Sequence, residues 1–573
     1  MPQIDLDSPP AESKIDNEGP PARFRARIRS LAGRPAVARG LTVLAGVIVF
    51  AALVFPNVLD RLTPIGFLRI PAEGAVLVAL MLLLPPRPRR VTGIALGVLL
   101  GWLVIEKCLD MGFFEELNRP FDPVLDWVLF DDAFSFVVDS FGRPAAIGAV
   151  AAIVLLVASV MAVTVWALLR VGAVIGRQRR RSAFVAGGMA AAWGLTFVLG
   201  LSITGAVPVA ARSTATYAWD RARQAREGLH DEAAFAEEVR VDAYRNTPGD
   251  QMLTALRGKD VVISFVESYG RSAVEHPALA PLVDPVLTEG TATLRKAGFA
   301  ARSGWLTSPT FGGGSWLAHA TFDSGLWINN ENRYRNLVST DRLTLTGAFK
   351  RAQWRTVRVM PGGTRSWPEG GFYGYDAVWD SRNLGYNGPK FSWAPVPDQF
   401  TLQRFNALEY KKAGRGPLLA EMPLVSSHTP WAPIPQYLPD WTGLGDGSVY
   451  APMVAEGKKP KELWAEPKNV RPEYGKSIVY TLTSLIEWVK RYGDDKLVLV
   501  FLGDHQPSPI AAGANASHDV PITVVAKDPA VLDRIAGWGW ADGLKPGPAT
   551  PVWPMNTFRD RFFAAFGPQT PAS

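Results

Sequence analysis

The sequence predicts a chain in two parts: a multi-pass α-helical membrane domain of five spans, then an α/β domain on a central, mostly parallel sheet. Three observations carry this. Long apolar runs crowd the residues before about 207, arginine clusters flank those runs, and short β-rich runs alternate with helix-length segments after about 258. Spanning a bilayer takes roughly 20 apolar residues per helix. The alternation of buried strands with helical segments is the pattern of a parallel sheet covered by helices.

Composition narrows the class further. The 573 residues are 48% hydrophobic and 20% charged. That excludes an intrinsically disordered chain, which could not bury enough apolar surface. It also disfavours a purely polytopic transporter, whose charged fraction would be lower. The net charge of +7 comes from 60 Lys and Arg against 53 Asp and Glu. The basic residues flank apolar runs rather than a folded face, so no nucleic-acid partner is expected. A single cysteine, Cys108, permits no internal disulfide.

The five expected spans are 40–59, 65–84, 91–109, 145–169 and 183–207. The second contains Arg69 and Glu73, four apart, which would share a helix face and pair. Residues 1–39 read as a cytoplasmic, Arg-rich and largely disordered arm, with 1–22 rich in Pro and Asp. No small-residue cleavage site follows the first span, so it reads as a retained anchor. The arm and the loops 85–90 and 170–181 are Arg-rich and should be cytoplasmic. The loop after the third span carries Glu115, Glu116, Asp122, Asp126 and Asp131 and should lie outside. Five spans starting inside deliver everything after about 210 to the outer face. Residues 208–257 read as a helical connector, and 258–573 as an extracytoplasmic domain.

In that domain, 260–266, 356–360, 418–425, 497–501 and 522–526 read as strands, with a helix over 477–492. Ligands of open α/β sheets collect beyond the carboxyl ends of the strands. Reactive residues stand there: Glu267 in VVISFVESYG, Asp504 and His505 in VLVFLGDHQP, and Ser427 and His428 in SSHTP. His518, in SHDVP, precedes the strand at 522. In FGGGSWLAHATF, three glycines lead into Ser315 and a helical pattern, which puts Ser315 near a helix N-terminus that favours anions. His319 follows four residues later and reads as a partly buried helix histidine rather than a site residue. Glu, Asp and His beside a hydroxyl suit one divalent ion, Mn or Zn with Mg also compatible, better than Ca.

These words resemble the alkaline phosphatase/sulfatase superfamily, in its membrane-anchored branch of lipoteichoic acid synthase and phosphoethanolamine transferases. The matching motifs are the strand-Glu-Ser at Glu267, the nucleophile turn at Ser315, Gly-Asp-His at Asp504 and His505, Ser-His-Thr-Pro at His428, and a His-x-x-Pro pattern at His518. The resemblance implies an extracytoplasmic sulfatase-like domain, with metal ligands Glu267, Ser315, Asp504 and His505. It implies catalysis by Ser315 and His428, with His518, Trp367, Arg365 and Trp431 contacting substrate. It also implies a membrane phospholipid or lipid-linked phosphoester donor and an envelope glycan or lipid acceptor.

The chain departs from that pattern where a His and a Trp-x-Arg unit should read lipid phosphate. Met360, Trp367 and Glu369 stand there, and a carboxylate repels an anion that arginine would bind. Arg365 is the nearby substitute. Formylglycine sulfatases need x-Pro-x-Arg after the modified residue, which Ser315-Trp-Leu-Ala-His lacks. The expected activity is therefore metal-dependent transfer of a phosphoester headgroup through a covalent serine. Hydrolysis of sulfuric or phosphoric esters and a metal-binding pseudoenzyme are the alternatives.

Overall fold

The computed structural model describes residues 35–204, 207–211 and 213–568. Residues 1–34 of the expected arm at 1–39, with all of its arginines but Arg39, lie outside the described residues. The chain divides into two compact units. One takes the residues up to Cys108 with Phe141–Asp220, and the other takes Leu109–Ser140 with Arg221 onward.

The first unit is helical: α1 (Pro35–Val54), α2 (Ala72–Leu83), α3 (Pro86–Leu117, continuing into the second unit), α5 (Arg143–Arg177) and α6 (Arg179–Val198), with α4 (Leu129–Phe141) outside it. Three of these, α1, α3 and α5, are long and apolar enough to cross a membrane. The expected second span is broken. Pro64 opens a single 3-10 turn, Ile70 and Pro71 form a two-residue strand, and only the twelve residues of α2 are helical. A proline cannot donate to the preceding turn of a helix, so the helix starts after Pro71. Contrary to the expectation, Arg69 therefore does not share a helix face with Glu73. Its Nε donates to the Pro208 carbonyl, and Glu73 accepts from the Ala215 amide. The fifth expected span is helical over α6 and then turns into short strands at Ser202–Thr204 and Val207–Pro208. The helix expected in the connector is α7 (Ser213–Arg240).

The second unit is built on a nine-stranded sheet: β1 (Asp260–Val266), β2 (Ala300–Thr307), β3 (Arg355–Met360), β4 (Ala377–Asp380), β5 (Leu418–Leu424), β6 (Leu497–Gly503), β7 (Asp519–Ala526), β8 (Ala541–Asp542) and β9 (Val552–Pro554). The order is β8-β2-β7-β6-β1-β5-β3-β4, with β9 also on β2. β6-β1-β5-β3-β4 are parallel neighbours, and β7 runs antiparallel between β6 and β2. The start of β7 thus lies at the same edge as the ends of β1, β2, β5 and β6.

Strand β1 is buried on both faces. Val262 and Val266 pack with Leu482 and Trp488, while Val261, Ile263 and Phe265 pack with Phe322 and Phe562. Each such side chain removed from water contributes about 1.5–3 kcal/mol. The first layer is closed by α9 (Val470–Tyr492), whose Tyr474, Ile478, Leu482, Leu485 and Val489 recur at helical spacing. Strand β2 escapes sequence reading because Arg302, Ser303 and Gly304 interrupt its apolar run. Its buried Ser303 hydroxyl is instead satisfied by Thr523 Oγ1 and the Gly543 carbonyl.

Candidate metal and nucleophile site

Glu267 is the first residue past β1, and Asp504 and His505 follow β6 directly, because these two strands are parallel and adjacent. All three are buried, and one ligand atom from each lies within 4.8 Å of the others. Ser315 comes from elsewhere, opening the helix α8 (Ser315–Ser324). Its Oγ lies 3.0 Å from Glu267 Oε2 and 3.1 Å from His505 Nε2. Folding has brought together the four residues expected to hold a metal.

The turn before α8 explains how the hydroxyl reaches so far in. Gly312 and Gly314 have φ of +74° and +77°, a region that side chains rarely adopt. A Cβ on Gly312 would also overlap the carbonyl oxygen of Glu116. The Gly312 amide donates to the Gln506 carbonyl at 2.9 Å, which ties the turn to the GDHQP segment. No side chain caps α8, and with the Leu317 amide donating to the Gly314 carbonyl, the Ser315 and Trp316 amides are the ones available to an anion.

Hydrogen bonds assign the protons. The Gln506 carbonyl can only accept, so the His505 Nδ1 at 2.7 Å donates to it. In the neutral ring, Nε2 then presents a lone pair to Ser315 and Glu267, as a metal ligand requires. Burial works against charge on His505, but the Asp504 and Glu267 carboxylates outweigh it and carry the imidazole up to about 9. Burial likewise works against the Glu267 carboxylate, yet His505 holds it well below the usual carboxylate range.

Asp504 Oδ1 accepts two backbone amides at 2.8 Å, from Ser268 and His505, while Oδ2 is buried with no hydrogen-bond partner. A buried anionic oxygen left unpaired is costly, and a cation would remove that cost. The mix of two carboxylates, one imidazole and a hydroxyl also fits a divalent ion of the Mn or Zn kind. The residues therefore fit the expected metal.

His428 stands on the loop after β5, close enough to lower the Glu267 pKa electrostatically. Its Nδ1 donates to the Thr429 carbonyl, and its ring stacks on Trp393 at 3.8 Å. The Ser427 hydroxyl ties this loop to the Glu267 carbonyl at 2.6 Å. His518 lies at the same edge, its carbonyl accepting the Ser308 amide and its ring 5.3 Å from Phe311.

The remaining expected contacts are placed differently. Trp367 lies 5.8 Å from the Arg358 guanidinium and stacks on Tyr373. Arg365 is exposed, with a hydrogen bond to Ser135. Trp431 is buried, donating to the Ser427 carbonyl and stacking on Trp464. That makes it a support for the His428 loop rather than a surface for substrate.

Three neighbours of these side chains stand outside the expected site set. Ser268 has φ +58° and places its amide on Asp504 and its hydroxyl on Glu267. Trp393 lies outside every motif and is legible only from its stacking on His428. His319 is buried beside Asp504, with the rings of His319 and Phe265 3.9 Å apart. The i+4 spacing from Ser315 was its one sequence signal.

No family model matches the chain, and no curated protein matches it. Solved structures similar to it include the lipoteichoic acid synthase LtaP from Listeria monocytogenes, at 15% identity over 56% of this chain and 75% of that one, with a TM-score of 0.36. Another is the Streptococcus pyogenes phosphoglycerol transferase GacH, at 14% identity over 51% and 74%, with a TM-score of 0.33. A third is the integral membrane lipooligosaccharide phosphoethanolamine transferase A (EptA) from Neisseria meningitidis, at 12% identity over 90% and 93%, with a TM-score of 0.43. These are the kinds of protein that the motif words resemble.

Proposed function

We propose that the protein is a metal-dependent membrane enzyme that transfers a phosphoester headgroup through a covalent intermediate on Ser315. The observation that carries this is the Ser315 hydroxyl set 3.0 Å and 3.1 Å from Glu267 and His505 at an uncapped helix N-terminus. A divalent ion held by Glu267, Asp504, His505 and Ser315 Oγ would supply the Lewis acidity that makes the hydroxyl nucleophilic at neutral pH.

The Ser315 oxygen gives up its proton to Glu267 Oε2, to which it already donates, and attacks phosphorus, forming the Ser–O–P bond as the P–O bond to the leaving alcohol breaks. The proton returns when Ser315 is displaced. The amides at the start of α8 stabilise the equatorial oxygens. His428, with Nδ1–H donated to a backbone carbonyl, has Nε2 available to carry a proton to the leaving alcohol. In the second half-reaction it takes a proton from the acceptor hydroxyl, which displaces Ser315. His518, Trp367 and Arg365 are proposed to contact the phosphoryl group or headgroup. The donor would be a membrane phospholipid or lipid-linked phosphoester, and the acceptor an envelope glycan or lipid. Five crossings, the three long helices together with the segment through the short helix α2 and with α6, the N-terminus cytoplasmic and the catalytic unit outside, complete the reading. Reporter fusions after residues 90, 125, 178 and 250 should then read inside, outside, inside and outside.

Mass spectrometry of the full-length protein quenched with a phospholipid donor tests the chemistry. A phosphoryl-type adduct on the peptide containing Ser315 is expected. Ser315→Ala should keep metal and fold and lose turnover by roughly 10³-fold or more. Ser315→Thr should retain substantial activity, because a threonine hydroxyl supplies the same nucleophile. An adduct on Thr310, or full activity in Ser315→Ala, moves the nucleophile elsewhere.

A further inference from the structure

We infer that His319 is a positioning residue of the metal centre, held by Arg358 in the tautomer that aims its Nε2 proton at the Asp504 carboxylate. The inference rests on the reading of Glu267, Asp504 and His505 as metal ligands. It concerns a residue outside that set.

His319 lies four residues after Ser315, one turn along α8. Its Nδ1 is 3.1 Å from Arg358 Nη2. A guanidinium carries only donors and keeps its proton, so Nδ1 must accept and the ring proton must be on Nε2. Arg358 is itself fixed, with Nη1 2.8 Å from Glu421 Oε1 and both side chains buried. Glu421 in turn accepts from the Tyr375 hydroxyl. On its other side, the His319 ring lies against Phe265, which leaves it little freedom to turn.

Nε2 faces Asp504 Oδ2 at 3.7 Å, and both atoms are buried without a hydrogen-bond partner. A shift of about half an ångström closes this gap to a normal hydrogen bond. Two buried polar atoms left unsatisfied face each other across this gap, and each is costly alone, so closing it is favoured. A carboxylate oxygen has two lone pairs, and Oδ2 can therefore take the His319 proton and still face a cation.

The rival role, direct ligation of the ion by His319, fails on the same tautomer. A metal needs the Nε2 lone pair, and Arg358 already occupies the one on Nδ1. Both lone pairs are in use only in an imidazolate. Orienting a ligand from behind is the role that remains, and residues in that role typically govern metal affinity by 10–100-fold.

The experiment uses the full-length protein in detergent, stripped of metal and titrated calorimetrically with Mn²⁺ and separately with Zn²⁺. His319→Leu should weaken binding by roughly 10–100-fold, while His319→Gln should stay within about threefold of wild type. The glutamine amide can accept from Arg358 and donate to Asp504, whereas leucine keeps only bulk. Equal losses in both variants, or no loss in His319→Leu, overturn the inference. Should His319→Leu fail to unfold cooperatively when metal-free, the glutamine variant decides alone: near-wild-type affinity supports the role, and a tenfold loss overturns it. A ¹⁵N spectrum of histidine-labelled protein gives a second readout, the His319 signals being those missing from His319→Gln. Protonation at Nε2 with and without metal is expected, and a metal-bound, unprotonated Nε2 overturns it. A wild-type protein that binds neither ion overturns this inference and the metal-centre reading together. Wild-type binding with insensitive variants overturns this inference alone.

Discussion

Strand β1 handles buried charge in opposite ways at its two ends. At its start, Asp260 receives both terminal nitrogens of Arg415 at 2.6 Å and 2.7 Å and the Leu418 amide at 3.0 Å. Glu409 nearby is closed in the same fashion, by Arg355 and the Trp379 indole. At the other end, Glu267 meets hydroxyls and the His505 imidazole, and among the described residues no lysine or arginine pairs with it. Asp504 beside it keeps an oxygen with no hydrogen-bond partner. Bidentate arginine pairing completes a carboxylate and leaves nothing for a ligand to do. The open end is where an external cation has a reason to bind.

The sharpest way to break this contrast is to remove one carboxylate from each end. Asp504→Ala should abolish both turnover and tight Mn²⁺ or Zn²⁺ binding in the full-length protein, because no other described carboxylate reaches the cluster. Full metal content in that variant would show the cluster to be wrongly chosen. Asp260→Ala should leave metal affinity unchanged and destabilise the fold, since it strands Arg415 in a half-buried position. Breaking a buried pair costs about 3–5 kcal/mol, and the guanidinium's residual exposure puts the loss at the lower end. Metal affinity is read by calorimetry and stability by denaturant unfolding. A metal defect in Asp260→Ala would erase the distinction between the two ends.

Much of the open end was legible in the sequence, and for a physical reason. Glu267, Asp504, His505 and His428 each stand within three residues of the end of an apolar run, so the strand places the residue. Ser315 was legible because its glycines announce a turn that other residues could not make. The closed end was not legible, because Arg415 and Asp260 are 155 positions apart and only the parallel pairing of β1 with β5 joins them. The surroundings of His319 were not legible, because its partner Arg358 sits within a strand whose neighbouring Val357, Val359 and Met360 read as core. The broken second membrane helix was missed because composition alone hides where Pro64 and Pro71 stop helical hydrogen bonding.

A third carboxylate, Asp323, sharpens the comparison, because it is buried in the last turn of α8 with neither a bidentate arginine nor a metal ligand hydrogen-bonded to it. Its Oδ1 accepts from the Thr346 amide and hydroxyl, while Oδ2 has no hydrogen-bond partner. Burial, and then the nearby charge of Glu421, push Asp323 up to about 8. Between its ordinary value of 3.8 and about 8, the folded protein holds a proton that the unfolded chain has released. Stability therefore falls as pH rises across that window, and Asp323 costs most above it. Asp323→Asn removes the charge and keeps the acceptor for Thr346. It should raise stability at pH 8.5 by roughly 1–3 kcal/mol, the cost of one buried group short of a partner. At pH 4, where the acid is protonated in the folded state, the same substitution should change little. Urea unfolding of both proteins at the two pH values checks this. A gain at pH 4 equal to that at pH 8.5 would mean that packing, not the buried charge, sets the effect.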